Sequence, residues 1–334
     1  ARGDSIVGTK HDLSVAGKSS VKASRETEIC IFCHTSHSAS TDAPLWNRYS
    51  SGAVYIPYSS TTAKSRPGQP TGNSKLCLSC HDGTVALGMV RSRKARIEFE
   101  GHAERRLTGP ANLGTDLQDD HPISFLYNQE LARAVGELVP PNLLPQTVPL
   151  ENGELQCTSC HNAHDNRYGH FLVTDNEASG LCVLCHQKSF WEASVHRLSE
   201  AGWNGSGRNP WPHTEYKTVR ANACGNCHRS HTAGTKQRLL IFPAEEDNCL
   251  DCHNGKVAVR DVEADMKKAS AHDGAATLGV HDPTEDAVNS VRHAECVDCH
   301  NPHAAVSKAA VAPAVSGALR GVKGVDIAGK VVQV

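Results

Sequence analysis

The sequence predicts a mostly irregular chain of loops and short helical turns, with very little β-structure. Its own side chains would build only a thin core, and something else must supply apolar volume. Three observations carry this. The hydrophobic fraction of the 334 residues is 39%, against about 45–50% in an ordinary soluble domain. Glycine and proline are frequent, at 27 and 16 residues, and they punctuate most windows. The 14 cysteines are all consumed by one repeated motif, with none left over.

That motif is Cys-x-x-Cys-His, and it occurs seven times. The copies are Cys30/Cys33/His34, Cys77/Cys80/His81, Cys157/Cys160/His161, Cys182/Cys185/His186, Cys224/Cys227/His228, Cys249/Cys252/His253 and Cys296/Cys299/His300. It is the attachment motif of c-type haem. Two thiols three positions apart lie on one turn and each adds to a vinyl group on one porphyrin edge. The adjacent histidine then reaches the iron from the same side. A disulfide scaffold does not need a histidine after every second cysteine, and zinc ribbons lack it too. Seven covalently attached haems c follow, with the seven motif histidines as proximal ligands. Stacked porphyrins then supply the missing apolar core.

Charge and hydropathy exclude other classes. The formal net charge is −2, with 34 basic and 36 acidic residues well mixed. Bulk attraction to nucleic acid is therefore excluded. No run reaches the roughly 18 apolar residues of a membrane span. The absence of a spare thiol fits an oxidising compartment.

Thirteen histidines remain for the distal positions, against two methionines, Met89 and Met266. Bis-histidine ligation throughout is the economical reading, and it implies lower potentials than His/Met ligation. Motifs one, three, five and seven continue as Cys-His-x-x-His, giving His37, His164, His231 and His303. Motifs two, four and six lack the extra histidine, so types A and B alternate. A three-residue tether of about 10 Å cannot carry the extra histidine to the far face of its own haem. The expectation is that it serves the next haem in sequence: His37 for motif two, His164 for motif four, His231 for motif six. A second small motif, His-x-Leu/Ile-Ser, lies upstream of three type A motifs and supplies His11, His121 and His196. These are assigned to motifs one, three and five. For motif seven the parallel histidine is His281, with His293 as its rival. His303 is then surplus, and its natural target is a haem of another subunit.

The organisation expected is an N-terminal haem lobe at 1–90 and a haem-free connection at 91–150. A C-terminal haem lobe follows at 151–308, then a tail at 309–334 able to form a strand or a subunit contact. Within the connection, residues 130–137 read as a short helix ended by Pro140 and Pro141.

The paired motifs resemble the doubled Cys-x-x-Cys-His multihaem cytochromes c of metal- and sulfur-respiring bacteria. The residues that carry this are Cys30-Ile-Phe-Cys-His-Thr-Ser-His37, Ala43-Pro-Leu-Trp-Asn-Arg48 and Leu76-Cys-Leu-Ser-Cys-His-Asp-Gly-Thr-Val-Ala86. Within that group the chain looks most like extracellular cytochromes that polymerise into conductive filaments. The resemblance implies electron transfer along a haem stack and a head-to-tail polymer of the chain itself. It also implies a histidine crossing between subunits, and other multihaem cytochromes or extracellular acceptors as partners. It implies secretion to the cell surface or beyond. A discrete periplasmic or surface shuttle is the alternative. An enzyme would need an open iron site, and every motif here carries its histidine.

Overall fold

The computed structural model describes residues 5–101, 105–270, 295–306, 323–325 and 330–333. Loops dominate, as the composition requires. The longest helix, α1, spans Gly72–His81, and most others are single turns of three or four residues. Five of those turns coincide with haem motifs: Cys30–Phe32, Cys157–Cys160, Cys182–Leu184, Ala223–Asn226 and Cys296–Cys299. The expected helix of the connecting segment is present at Gln129–Val135.

Strand structure is limited to two small antiparallel pairs among the described residues. Strand β1 (Phe125–Leu126) pairs with β2 (Glu154–Leu155), Phe125 opposite Leu155. Strand β3 (Lys323–Val325) pairs with β4 (Val331–Gln333), Gly324 opposite Val332. These two short strands of the tail thus pair with each other. No described helix is long and apolar enough to cross a membrane.

The chain divides into two compact units. The first comprises Ala1–Ser59, Ser65–Leu131 and Pro141–Asp175; the second comprises Ser60–Lys64, Ala132–Pro140 and Asn176–Val334. Motifs one to three thus fall in the first unit and four to seven in the second, which differs from the two-and-five split expected above. The reason is local. Glu151 accepts from the Asn73 backbone N–H at 2.9 Å, and Ser74 Oγ accepts from the Cys157 N–H at 2.9 Å. These bonds tie the third motif to the start of α1.

The side-chain core is thin and scattered. In the first unit Ala23, Ile31, Phe32, Leu87, Val90, Ile97 and Phe99 form one cluster, against which Cys33 and Cys80 pack. Tyr55, Leu78 and Leu117 form another. In the second unit Trp211, Val219 and Val257 pack with Cys252 at their edge.

Candidate haem sites

Three type A motifs share one backbone frame. After the proximal histidine the chain loops out and returns as a bridge: His34 with Trp46, His161 with Leu172, His228 with Leu240. The second cysteine's carbonyl accepts from the returning strand in each case: Cys33 from Asn47, Cys160 from Val173, Cys227 from Ile241. The turn that permits this puts Leu45, Phe171 and Leu239 at positive φ, 60°, 57° and 52°. That region is uncommon for residues other than glycine. Its recurrence at the same point of three repeats marks a frame held by the rest of the loop.

The frame orients the proximal ring. His161 Nδ1 lies 2.9 Å from the His170 carbonyl, and His228 Nδ1 lies 2.8 Å from the Arg238 carbonyl. His81 reaches the Ala111 carbonyl the same way, at 2.8 Å. With Nδ1–H donating to a carbonyl, Nε2 is left as the lone-pair nitrogen for a metal.

Among the described residues, the proximal rings of motifs one, two, five and six each face a second imidazole. The ring centres are 6.0 Å apart for His34 and His164, and 6.2 Å for His81 and His11. They are 6.3 Å apart for His228 and His303, and 6.0 Å for His253 and His196. A metal–imidazole bond is about 2.0 Å long, and the ring centre sits roughly 1 Å behind the nitrogen. Two imidazoles on opposite sides of one iron therefore have centres about 6 Å apart. The pairs fit a haem iron on that measure. The distal members are tethered like the proximal ones: His196 Nδ1 to the Pro302 carbonyl at 2.8 Å and His11 Nδ1 to the Ala163 carbonyl at 3.3 Å.

Burial favours the neutral form that binds metal at five of these rings. It pushes His303 down to about 3, with the Lys188 charge adding to the effect. It lowers His228, His11, His34 and His253 as well.

These pairings correct the expected assignment. His11 stands opposite His81 of motif two, not His34 of motif one. His164 stands opposite His34 of motif one, not His186 of motif four. His196 stands opposite His253 of motif six, not His228 of motif five. His303 is not surplus, because it faces His228. The rings seen opposite the proximal histidines of motifs two and six are thus those of His11 and His196, not those expected, His37 and His231. His121 holds its Nδ1 3.0 Å from the Pro122 carbonyl, the same tethering as in the paired rings. His37 is exposed, and its imidazole faces no other described histidine. His281 and His293 lie outside the described residues.

The physical reason lies in the cysteines. The sulfurs of Cys77 and Cys157 are in hydrogen-bond contact, as are those of Cys182 with Cys224 and Cys249 with Cys296. Cys33 lies within electrostatic reach of Cys80, and Cys227 within reach of Cys249 and Cys252. Consecutive motifs therefore meet at their cysteines, where haems would be attached: one, two and three in the first unit, and four through seven in the second. An axial ligand approaches a porphyrin face. The histidines placed to reach such a face would be His164 for a haem held at motif one and His303 for one held at motif five. Burial pushes the Cys33 thiol up to about 12 and so keeps it protonated before attachment.

Sequence reasoning missed the carbonyl tethers, the sulfur contacts and Arg48. The tethers' signal was the recurring loop after each type A histidine.

Residues 148–189 and 217–258 match the family model of the doubled CXXCH motif. No curated protein shows a significant match to the chain. With that motif and these ligand pairs, the class is a multihaem c-type cytochrome, which binds haem covalently and transfers electrons.

Proposed function

We propose that the protein is a heptahaem electron carrier and the subunit of an extracellular head-to-tail filament. Bound haem supplies a ferric/ferrous couple at each motif. The chain's contribution is to bring a second imidazole to the irons and to bring consecutive motifs together, one to three in the first unit and four to seven in the second. With two imidazoles at four irons and a histidine in every motif, the reading is a carrier and not an enzyme.

The observation that supports polymerisation is the ligand register. His164 of motif three faces His34 of motif one, and His303 of motif seven faces His228 of motif five. The extra histidine of a type A motif thus serves the type A motif two places earlier. By this rule His37 has no haem to serve in its own chain, and motif seven receives no histidine of this class. His37 of one copy, ligating the iron held by His300 of another, closes the register and repeats without end.

The test is His37→Ala, compared with wild type by electron microscopy and resonance Raman spectroscopy. Loss of fibres together with one high-spin haem supports the filament. Wild-type fibres with every haem low-spin would sink it. Dispersed wild-type particles would favour the discrete shuttle, with His281 or His293 closing motif seven internally.

A further inference from the structure

Arg48 is completely buried. Its guanidinium donates to Ser79 Oγ at 3.2 Å and to the Leu87, Ser79 and Ala86 carbonyls at 2.9, 3.0 and 3.3 Å. All four acceptors are neutral, and no described carboxylate forms an ion pair with it. A buried cation without a counter-ion is expensive to keep. Its charge acts on both Cys33 and Cys80, the cysteines where motifs one and two meet. Asp82, also buried, acts oppositely, but only at Cys80 of that pair; it accepts from Tyr55 Oη at 2.6 Å and from Thr84 Oγ1.

The junction of motifs six and seven has the opposite sign. Glu246 is 5% exposed and forms no ion pair with a described residue; burial, with Glu245, Asp247 and Asp298 around it, raises its carboxyl above the usual range, so its charge is fullest at alkaline pH. Glu245 is partly neutralised by Arg238 at 3.2 Å. The charges of Glu246 and Glu245 bear on Cys296, where the two motifs meet.

We propose that these buried charges grade the reduction potentials along the chain. Arg48 holds the irons of motifs one and two high, and the carboxylates around Glu246 hold those of motifs six and seven low. A ferric bis-histidine haem carries one more positive charge than the ferrous form. A fixed cation nearby therefore favours reduction, and a fixed anion opposes it; in the low-dielectric interior both act strongly. Electrons then settle at the motif-one end of the subunit.

The inference rests on haem being bound at these motifs, which the pyridine haemochrome spectrum of each variant reports separately. The experiment is a spectroelectrochemical titration of the haem-loaded full chain. Arg48→Gln should shift a two-in-seven share of the amplitude, taken from its most positive part, downward by at least tenfold in the redox equilibrium, or 59 mV for one electron. Arg48→Lys keeps the charge and should leave that share in place. Titrated at alkaline pH, where the raised Glu246 carboxyl is ionised, Glu246→Gln should move the most negative part upward. Equal shifts in both Arg48 variants, or no shift in Arg48→Gln, would overturn the proposal. If Arg48→Gln does not acquire its full haem complement, Glu246→Gln decides: an upward shift supports the grading, and an unchanged or lowered titration refutes it.

Discussion

The imidazoles of His228 and His303 face each other with ring centres 6.3 Å apart and planes only 7° from parallel. Trp191, itself buried, packs edge-on against His303 at 6.1 Å. The histidine that looks surplus in the sequence thereby stands opposite the proximal histidine of motif five. Replacing it with alanine is expected to leave one iron five-coordinate. Resonance Raman of His303→Ala should show a single high-spin haem, with the remaining haems low-spin. An all-low-spin spectrum would mean that another group fills the position.

The four described pairs fall into two classes by ring orientation. The planes of His34/His164 and His228/His303 differ by 17° and 7°. Those of His81/His11 and His253/His196 differ by 64° and 81°. Parallel imidazoles split the iron d orbitals unequally, whereas crossed imidazoles leave them nearly degenerate. Low-temperature paramagnetic resonance of the oxidised protein should therefore contain both a rhombic and a highly anisotropic low-spin signal. A single class of signal would contradict the geometry.

Asp42 joins the loop after motif one to α1. It accepts from Ser40 Oγ at 2.6 Å, from Ser50 Oγ, and from Lys75 Nζ at 3.1 Å. These bonds, Ser40 first, hold its carboxyl down at about 2. The folded value lies below the unfolded one. The stabilisation is therefore full above about pH 4 and is lost as the pH falls toward 2. Partial exposure limits it to under about 1 kcal/mol. Asp42→Asn should be slightly less stable than wild type at pH 7 and equal to it at pH 2 in thermal unfolding. A difference that persists at pH 2 would refute the linkage.

Leu78 sits on α1 between Cys77 and Ser79, 1% exposed, and packs with Tyr55 and Leu117. Leu78→Ala leaves a cavity beside motif two and should cost about 2–5 kcal/mol. Denaturant unfolding at equal haem content measures this. A loss below about 1 kcal/mol would mean that the site collapses around the smaller side chain.

The covalent part of each site was legible in the sequence because it is local. Five residues in a row supply two thioethers and one ligand, and every cysteine obeys that pattern. The sparse helix was legible too, from the glycine, proline and low apolar content. The distal ligands were legible as residue types but not as assignments. His11 reaches its acceptor at Ala163, 152 positions away, and nothing in the spacing from His11 to Cys30 records that. Alternation of the motifs was the correct signal, read in the wrong direction along the chain. Arg48 was visible in its Pro-Leu-Trp-Asn-Arg segment, but its complete burial depends on Ser79, Ala86 and Leu87 closing around it.

The most direct measurement is an experimental density map of the haem-loaded protein, read at each iron. The expected result is iron bound between His34 and His164, His81 and His11, His228 and His303, and His253 and His196. Finding His11 on the iron of motif one, or His164 on that of motif four, would contradict the register on which the filament rests.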